Sequence, residues 1–223
     1  MENNMDQNKK SPVPGVRSCV DCGTINCRDR NKTWPEFCLT TEMTQEERDE
    51  LIRLYTEDEE NARIMQNAAA VESEFYCMIT RVEEIVEFAK RIGAKKIGIA
   101  TCSGLIDESR IFARILRLNG FEVFGAVCKS GSIPKTEVGI PEEHQLSGPI
   151  MCNPVYQAKM LNKAKTDLNV VVGLCVGHDS LFYKYAEGLC TTLITKDRVM
   201  GHNPAAALYQ VNSYYKRLLK PRG

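Results

Sequence analysis

Short apolar runs alternate with amphipathic segments along the second half of the chain. The four runs, rich in small and β-branched residues, are KKIGIATC, FEVFGAVC, NVVVGLC and TTLITKD. Between and after them, the spacing of apolar residues predicts helices over 106–118, 155–165, 181–187 and 204–219. Strands that alternate with helices are typical of a parallel sheet covered on both faces. The pattern predicts an α/β fold over residues 94–223: a three-layer, doubly wound, mostly parallel sheet of about four strands.

The preceding residues, 41–93, carry a helical pattern, and we expect them to pack on this core. Thr44 and Glu47 have the spacing of a capping box at the start of the first helix. Further helices are predicted over 57–78 and 81–92. The α/β core is therefore expected to be preceded by helices rather than by further strands.

Two segments have no such pattern. Residues 1–18 are polar and contain Pro and Gly, which predicts a disordered lead-in without the apolar run of a signal peptide. Residues 130–149 are polar and rich in Pro and Gly, and we expect a long loop there. Loops of this length in compact domains are usually functional, often as lids over a site.

Four of the ten cysteines fall in the segment 19–40. Cys19, Cys22, Cys27 and Cys38 give the spacing C-x2-C-x4-C-x10-C, and the residues between them are mostly loop formers. Four thiolates can complete a tetrahedral set for zinc or an iron–sulfur cluster. Since the segment has almost nothing apolar to bury, a bound metal would supply its folding free energy. The spacing predicts a metal-binding knuckle and leaves zinc and iron–sulfur open.

A second set of cysteines recurs at the ends of predicted strands. Cys102, Cys128 and Cys175 end the first three runs, and Cys152 follows the long loop as the chain returns to the same edge. In open parallel sheets, ligands bind outside the carboxyl ends of the strands, where the strand order reverses. With the order 2-1-3-4, Cys102 and Cys175 would lie on adjacent strands about 4.8 Å apart. We expect a nucleophilic thiolate, a second metal ion or a cluster there.

The alternative is that these cysteines are small buried hydrophobic residues, a common role of free cysteine. For Cys77, on the second predicted helix, and Cys190, at the start of the fourth strand, the core is the prediction. Three cysteines at the same end of successive strands make this interpretation less convincing for the strand-end set.

Polar side chains follow the third and fourth strands at the same edge. They are His178, Asp179, Lys196, Asp197, His202 and Asn203. The alternative roles are helix caps for Asp179, or Ser180 beside it, and for Asn203, and a solvated charge for Lys196. Thiols, imidazoles and a lysine converging on one edge are typical of a metal or thiol-chemistry site.

The convergence leads to three assignments. Candidate catalytic residues are Cys102, Cys175, His178, Asp179 and Lys196. Candidate cofactor-binding residues are Cys128, Cys152, Asp197, His202 and Asn203. The metal ligands are Cys19, Cys22, Cys27 and Cys38.

Charge and composition exclude several classes of function. With 29 basic and 29 acidic residues the formal charge is zero, so no global field attracts nucleic acid or an anionic membrane. No stretch approaches the roughly 20 apolar residues of a membrane span. We therefore expect a cytoplasmic protein, whose thiols stay reduced and whose cysteines serve metal binding or thiol chemistry rather than disulfides.

Several stretches resemble one uncharacterised prokaryotic family, domain of unknown function eighteen-forty-seven, often described as metal-binding. They are CVDCGTINC, CNPVYQAKMLNKAKTDLNVVVGLCVGHDSLF and TTLITKDRVMGHNP, of which GLCVGHDSLF is the most specific. The resemblance runs from Cys19 to Pro204 and implies that the four N-terminal cysteines bind metal. It also places in the family's signature segments Cys152, Cys175, His178, Asp179, Lys196, Asp197, Arg198, His202 and Asn203. It implies no reaction.

Two hypotheses about function remain open. The first is a metal-binding protein, with zinc or iron–sulfur, whose cysteine and histidine cleft performs sulfur or redox chemistry on a small molecule. The second is a non-catalytic module with one structural zinc that binds a small ligand or a partner. Both predict a small-molecule ligand and neither nucleic acid nor membrane, and the oligomeric state is left open.

Overall fold

The computed structural model describes residues 17–29 and 33–221. The chain divides into two compact units, Met1–Gln66 and Asn67–Gly223. Except for its last two residues, the predicted lead-in over 1–18 lies outside the described residues. Among the helices described, none is long and apolar enough to cross a membrane.

The first unit is built from short helices that bury almost nothing. In chain order they are a 3-10 turn at Cys19–Asp21, then α1 (Asn26–Asp29), α2 (Leu39–Glu42), α3 (Gln45–Thr56) and the start of α4 (Glu59–Glu74). The predicted capping box begins α3, since the Thr44 hydroxyl accepts from the Glu47 amide at 3.2 Å and the Glu47 carboxylate accepts from the Thr44 amide at 2.9 Å. No residue of α1, α2 or α3 is buried. Apolar burial therefore contributes little to holding this unit together.

The second unit contains the sheet, and the α/β class predicted from the sequence is confirmed. Its strands are β1 (Lys96–Thr101), β2 (Glu122–Val127), β3 (Leu168–Val172) and β4 (Leu189–Ile194). All pairs are parallel, in the order β2-β1-β3-β4. The helices are the end of α4, then α5 (Arg81–Arg91), α6 (Ile106–Leu118), α7 (Pro154–Ala164), α8 (His178–Tyr185) and α9 (Ala205–Tyr209). The strand order reverses between β1 and β3, two adjacent parallel strands whose carboxyl ends lie at the same edge of the sheet.

Helices cover both faces of the sheet and give it two cores. On one face α5 and α6 pack against the alternate strand residues Ile97, Ile99, Leu168, Val170 and Val172. On the other face α7 and α8 bury Leu161 and Phe182 against Ala100 and Val171, together with Cys102 and Cys128. Burial on both faces explains why the strands read as continuous apolar runs. The two buried cysteines belong to the face under α7 and α8.

Gly98 in β1 lets α7 approach the sheet closely. A Cβ at this position would lie 2.3 Å from Asn169 Oδ1 and 2.6 Å from Leu161 Cδ2. Both neighbours are fully buried, so neither can move aside freely.

We expect Gly98→Ala to destabilise the protein by about 1–3 kcal/mol, the usual cost of overpacking. Gly125→Ala, on the adjacent strand, is the matched control because its Cβ would be 3.9 Å from its nearest neighbour, Ile99 O. Urea unfolding followed by circular dichroism measures both free energies of unfolding. Equal stabilities of the two variants would contradict this account of the packing.

Cys77 is not a core residue, contrary to the prediction from the sequence. The second helix ends at Glu74 rather than at residue 78, and Cys77 is exposed in the following turn with a φ of +57°. The chain has to turn here because Thr80 caps α5. Cys190, by contrast, packs against the second core.

The last helix is much shorter than predicted. It covers Ala205–Tyr209, and a 3-10 turn at Lys216–Leu219 follows, instead of one helix over 204–219. Leu208 and Tyr214 are exposed, so this segment lacks the packing that sustains most helices.

The alternative roles as helix caps at the sheet edge are not the ones that the structure shows. Pro204, not Asn203, holds the N-cap position of α9. Gly177 holds it in α8, with a φ of +83°, so neither Asp179 nor Ser180 is the cap. Glycine tolerates the left-handed conformation that this tight entry into α8 requires.

The long polar segment over 130–149 is more structured than its composition predicts. It contains 3-10 turns at Lys135–Val138 and Glu142–His144. The Lys135 side chain is buried, and its ammonium donates to His144 O and Ser147 Oγ, both at 3.2 Å. A buried lysine thus holds the two halves of the loop together.

Candidate functional site

The register of the sheet places Cys102 beside Cys128. Thr101 pairs with Val127 at the ends of β1 and β2, so the two cysteines are the residues that directly follow these adjacent strands. The Cys128 amide donates to Thr101 O at 2.9 Å, which extends the ladder to this point. Both side chains are buried, at 9% and 2% exposure. The Ser103 amide also donates to Cys128 Sγ, at 3.3 Å.

Cys152 reaches the same place from the end of the long loop. The next residue, Asn153, donates its amide to Cys128 O at 2.7 Å, and its side chain caps α7 by accepting from Tyr156 N at 3.0 Å. Cys102 and Cys128 belong to one buried cluster with Cys152 packed against it, and the Cys128 thiol interacts with both of the other thiols. Three thiols from three segments of the chain are therefore in contact.

Cys175 completes the group from the end of β3. Its carbonyl accepts from the His178 and Asp179 amides at 2.9 and 3.1 Å, so it stands at the entry to α8. Its sulfur accepts from Arg198 Nη2 at 3.1 Å and interacts electrostatically with Cys152. We call Cys102, Cys128, Cys152 and Cys175 the thiol cluster.

A buried glutamine of α7 ties the two strand ends below the thiol cluster. Gln157 is fully buried, and its Nε2 donates to Thr101 O at 3.0 Å and to Ala126 O at 2.7 Å. These are carbonyls of β1 and β2 close to their carboxyl ends. The side chain therefore helps to fix Thr101, directly before Cys102, and Ala126, two residues before Cys128.

The environment makes Cys152 acidic. The hydrogen bond from the Cys128 thiol, and then the Lys129 ammonium, lower the pKa of Cys152 to about 6 against the opposing effect of burial. Because this pKa lies below neutrality, Cys152 is mostly a thiolate at pH 7.

Cys102 is held in the opposite state. Its hydrogen bond with Cys128, followed by burial, raises the pKa of Cys102 to about 12. This thiol stays protonated at neutral pH in the absence of a metal. The thiol cluster therefore combines one thiolate with at least one neutral thiol.

Three cations stand around the thiol cluster. Lys129 follows β2, and its ammonium donates to Ile150 O at 2.6 Å and acts on Cys152. Lys196, which follows β4, acts on Cys102, as does Arg198. A positive environment of this kind stabilises thiolates.

His178 and Asp179 also reach this region. His178 is half-buried, and burial, followed by the charge of Lys129, lowers its pKa. The imidazole is therefore neutral at pH 7, with one nitrogen free to accept a proton. The carboxylate of Asp179 opposes the shift and accepts from the Ser180 amide at 2.8 Å.

Asp197, His202 and Asn203 serve the loop after β4 instead. Asp197 Oδ1 accepts from the amides of residues 199 and 200, and His202 Nδ1 accepts from Asp197 N at 3.1 Å. His202 has a φ of +66°, which turns the chain back on itself. Among the hydrogen bonds and ion pairs of the described residues, none joins these three to the thiol cluster.

Sequence reasoning missed Lys129 and Ser103 as members of the site. Lys129 directly follows a strand-end cysteine, and that position was the available signal. Ser103 has the same relation to Cys102, and it contributes a backbone amide that no residue type could reveal.

The four N-terminal cysteines line one cavity in the first unit. Its volume is about 80 Å³, and Trp34 and Phe37 are among the side chains that share it. Cys22 Sγ lies 3.5 Å from Thr24 Oγ1, and this hydrogen bond lowers the pKa of Cys22. The donor set, four thiols around one space, fits the ligand preference of zinc and of iron–sulfur clusters.

The side chains are not yet in the arrangement of a metal site. In residues 17–29 and 33–221, no three or more His, Cys, Asp or Glu side chains form a group with the geometry to hold a metal ion. The fit to a metal therefore rests on the chemistry of the donors and on their convergence, in the N-terminal cavity and at the thiol cluster.

Comparison with known proteins identifies sequence relatives whose function is not described. A family model described as "Protein of unknown function (DUF1847)" matches residues 38–193. The uncharacterized protein MJ0455 of Methanocaldococcus jannaschii is 41% identical over 196 residues, covering 88% of this chain and 99% of that protein.

Among solved structures, the chain is similar to Dph2 from Pyrococcus horikoshii. One crystal structure, with a 4Fe-4S cluster, gives a TM-score of 0.34 at 20% identity, covering 63% of this chain and 33% of that one. A second Dph2 structure gives a TM-score of 0.33 with nearly the same coverage. This chain spans about a third of the Dph2 chain, and so partial a likeness carries no conclusion about function.

Proposed function

The chain belongs to the DUF1847 family of proteins of unknown function, and we propose that it is a metal-binding protein whose functional centre is the thiol cluster. One observation carries the proposal. Thiols from four separate segments converge where β1, β2 and β3 end, the edge at which open α/β sheets bind ligands. Cysteines needed only for packing have no reason to converge from four segments on that edge.

The residues that would hold the metal are Cys102, Cys128, Cys152 and Cys175. Thiolate ligands select zinc, copper(I) or iron–sulfur clusters over magnesium and calcium. A metal bound here would supply a Lewis acid or a redox group close to the half-buried His178. Metal coordination would also deprotonate Cys102, whose thiol is neutral in the metal-free site.

The polar groups beside the metal would handle protons and charge. The neutral imidazole of His178 can accept a proton from a bound small molecule, and Asp179 stabilises the imidazolium that results. Lys196 and Arg198 would oppose the negative charge of the thiolates. This set of groups supports sulfur or redox chemistry on a small molecule.

A second metal is proposed for the N-terminal cavity, with Cys19, Cys22, Cys27 and Cys38 as ligands. Its role would be structural, because no residue of α1 or α2 is buried. The same observation favours the second candidate function, a non-catalytic binding module with one structural zinc. Under that alternative, the thiol cluster would hold no metal.

Metal analysis of anaerobically purified protein separates the two candidates. We expect Cys128→Ser to remove the metal of the thiol cluster, because Cys128 contacts both Cys102 and Cys152. Cys190→Ser is the matched control, since Cys190 is a half-buried cysteine of β4 that packs against the same core and donates its thiol to Gly188 O at 3.2 Å. Metal and sulfide content and the visible absorption spectrum are measured for each protein.

The outcomes differ clearly. Loss of one of two metal centres in Cys128→Ser, with Cys190→Ser unchanged, supports the thiol cluster as a metal site. One zinc per chain that is lost only when an N-terminal cysteine is replaced supports the non-catalytic module.

A further inference from the structure

The cations around the thiol cluster have no acidic partners. Lys129, Lys196 and Arg198 form no ion pair with an aspartate or glutamate in the part of the chain that the structure describes. Like charges gathered at one edge repel one another, more strongly where they are partly buried. Lys129 and Lys196 are both half-buried. In the described residues, the groups that face these cations are the thiols of the cluster, as in the 3.1 Å contact of Arg198 Nη2 with Cys175 Sγ, and a bound anion would balance their charge further.

Their placement brackets the thiols. Lys129 follows β2 and Lys196 and Arg198 follow β4, the two outer strands of the order β2-β1-β3-β4. Cys102 and Cys175 follow the two inner strands. A molecule held between the outer cations would lie across the thiol cluster.

The hydrogen-bond donors of two cations remain largely unused. Arg198 donates through Nη2 to Cys175, which leaves most of its five N–H groups available. For Lys196 the described residues provide no hydrogen-bond acceptor. The Lys196 side chain lies close to Gly173, in the turn after β3, since a Cβ added there would be 3.6 Å from Lys196 Cε. Unused donors on cations beside a reactive group fit an oxygen-rich anion.

We propose that this edge binds a small molecule through a carboxylate or phosphate group held by Lys196 and Arg198, with Lys129 on the opposite side. The reacting part of the molecule then lies over the thiol cluster and within reach of His178. This inference names the ligand class of the centre proposed above and rests on that proposal for the identity of the centre.

Titration of the full chain with inorganic phosphate, and separately with acetate, tests the inference. At constant ionic strength, isothermal titration calorimetry should show saturable binding of at least one of the two anions. Lys196→Gln and Arg198→Gln should each weaken it about tenfold or more, the usual effect of losing a charge-assisted hydrogen bond. Lys163→Gln is the matched control, because Lys163 is an exposed cation near the far end of α7.

Two results would overturn the inference: no saturable binding of either anion, or equal weakening in all three variants. Metal content is measured on the same samples, so the two proposals can fail separately. If the thiol cluster holds metal but neither anion binds, the anion site is wrong and the proposed metal centre stands. If protein without metal binds the anion, and Arg198→Gln weakens that binding, the proposed metal centre is wrong and the proposed ligand class stands.

Discussion

In the metal-free state, the protein is expected to react with iodoacetamide at Cys152 at least about 200 times faster than at Cys102 at neutral pH. With a pKa of about 6 for Cys152 and about 12 for Cys102, the thiolate fractions differ by about 10⁵-fold. The less basic thiolate is a weaker nucleophile, which reduces this advantage by roughly 500-fold. Burial of Cys102 slows its reaction further. Peptide mass spectrometry of the alkylated protein over time measures both rates.

The pH dependence of the Cys152 rate is the sharper measurement. The rate should rise about tenfold per pH unit below its pKa of about 6 and level off above it, as the thiolate becomes fully formed. Cys128→Ala and Lys129→Met should each raise the midpoint, because the Cys128 thiol is the largest single cause of the low pKa and Lys129 lowers it through both its charge and its hydrogen bond. Lys163→Met, which removes a distant charge, should leave the midpoint unchanged. A wild-type midpoint near the ordinary cysteine value of about 8.5 would contradict the geometry of the thiol cluster.

The strand ends could be located from the sequence because each is marked twice. Cys102, Cys128 and Cys175 each close an apolar run and precede a glycine by no more than three residues. Parallel strands present their carboxyl ends at one edge, so a sequence pattern was enough to group these residues. α6 begins and ends at the predicted residues, whereas α8 covers His178–Tyr185 instead of the predicted 181–187. The helix after Pro204 was overestimated because propensity alone does not sustain a helix without packing.

The contacts within the site could not be predicted in the same way. Whether Cys152 meets Cys128 depends on where a loop of about twenty residues returns, and a single backbone hydrogen bond from Asn153 decides it. Lys129 looks like a solvated charge in the sequence, and only the position of Ile150 O brings its ammonium close to Cys152. His202 is the reverse case, because the sequence predicted it as a site residue and the structure places it in the loop after β4. It shares a sheet edge with the cysteines, but a left-handed backbone turns it into its own loop.

Removal of the metal proposed for the N-terminal cysteines is expected to abolish the ordered structure of residues 19–29 and 33–42. The short helical elements of that segment bury no residue, so no hydrophobic core remains to hold them when the metal leaves. In zinc-finger peptides the metal contributes about 10–16 kcal/mol, far more than the surface hydrogen bonds of such a segment. The sheet buries its own two cores in the second unit and should be unaffected.

Amide hydrogen exchange before and after chelation is the measurement for this segment. Protection of amides in residues 19–29 and 33–42 should fall to the level of an unfolded chain, while amides of β1 and β3 keep theirs. Cys38→Ser should reproduce the effect without a chelator, because Cys38 lines the cavity with the other three cysteines. Cys77→Ser is the matched control, since Cys77 is an exposed cysteine outside the cavity. If residues 19–29 and 33–42 stay protected in protein shown to be free of metal, the segment folds by other means, and its cysteines need a different explanation.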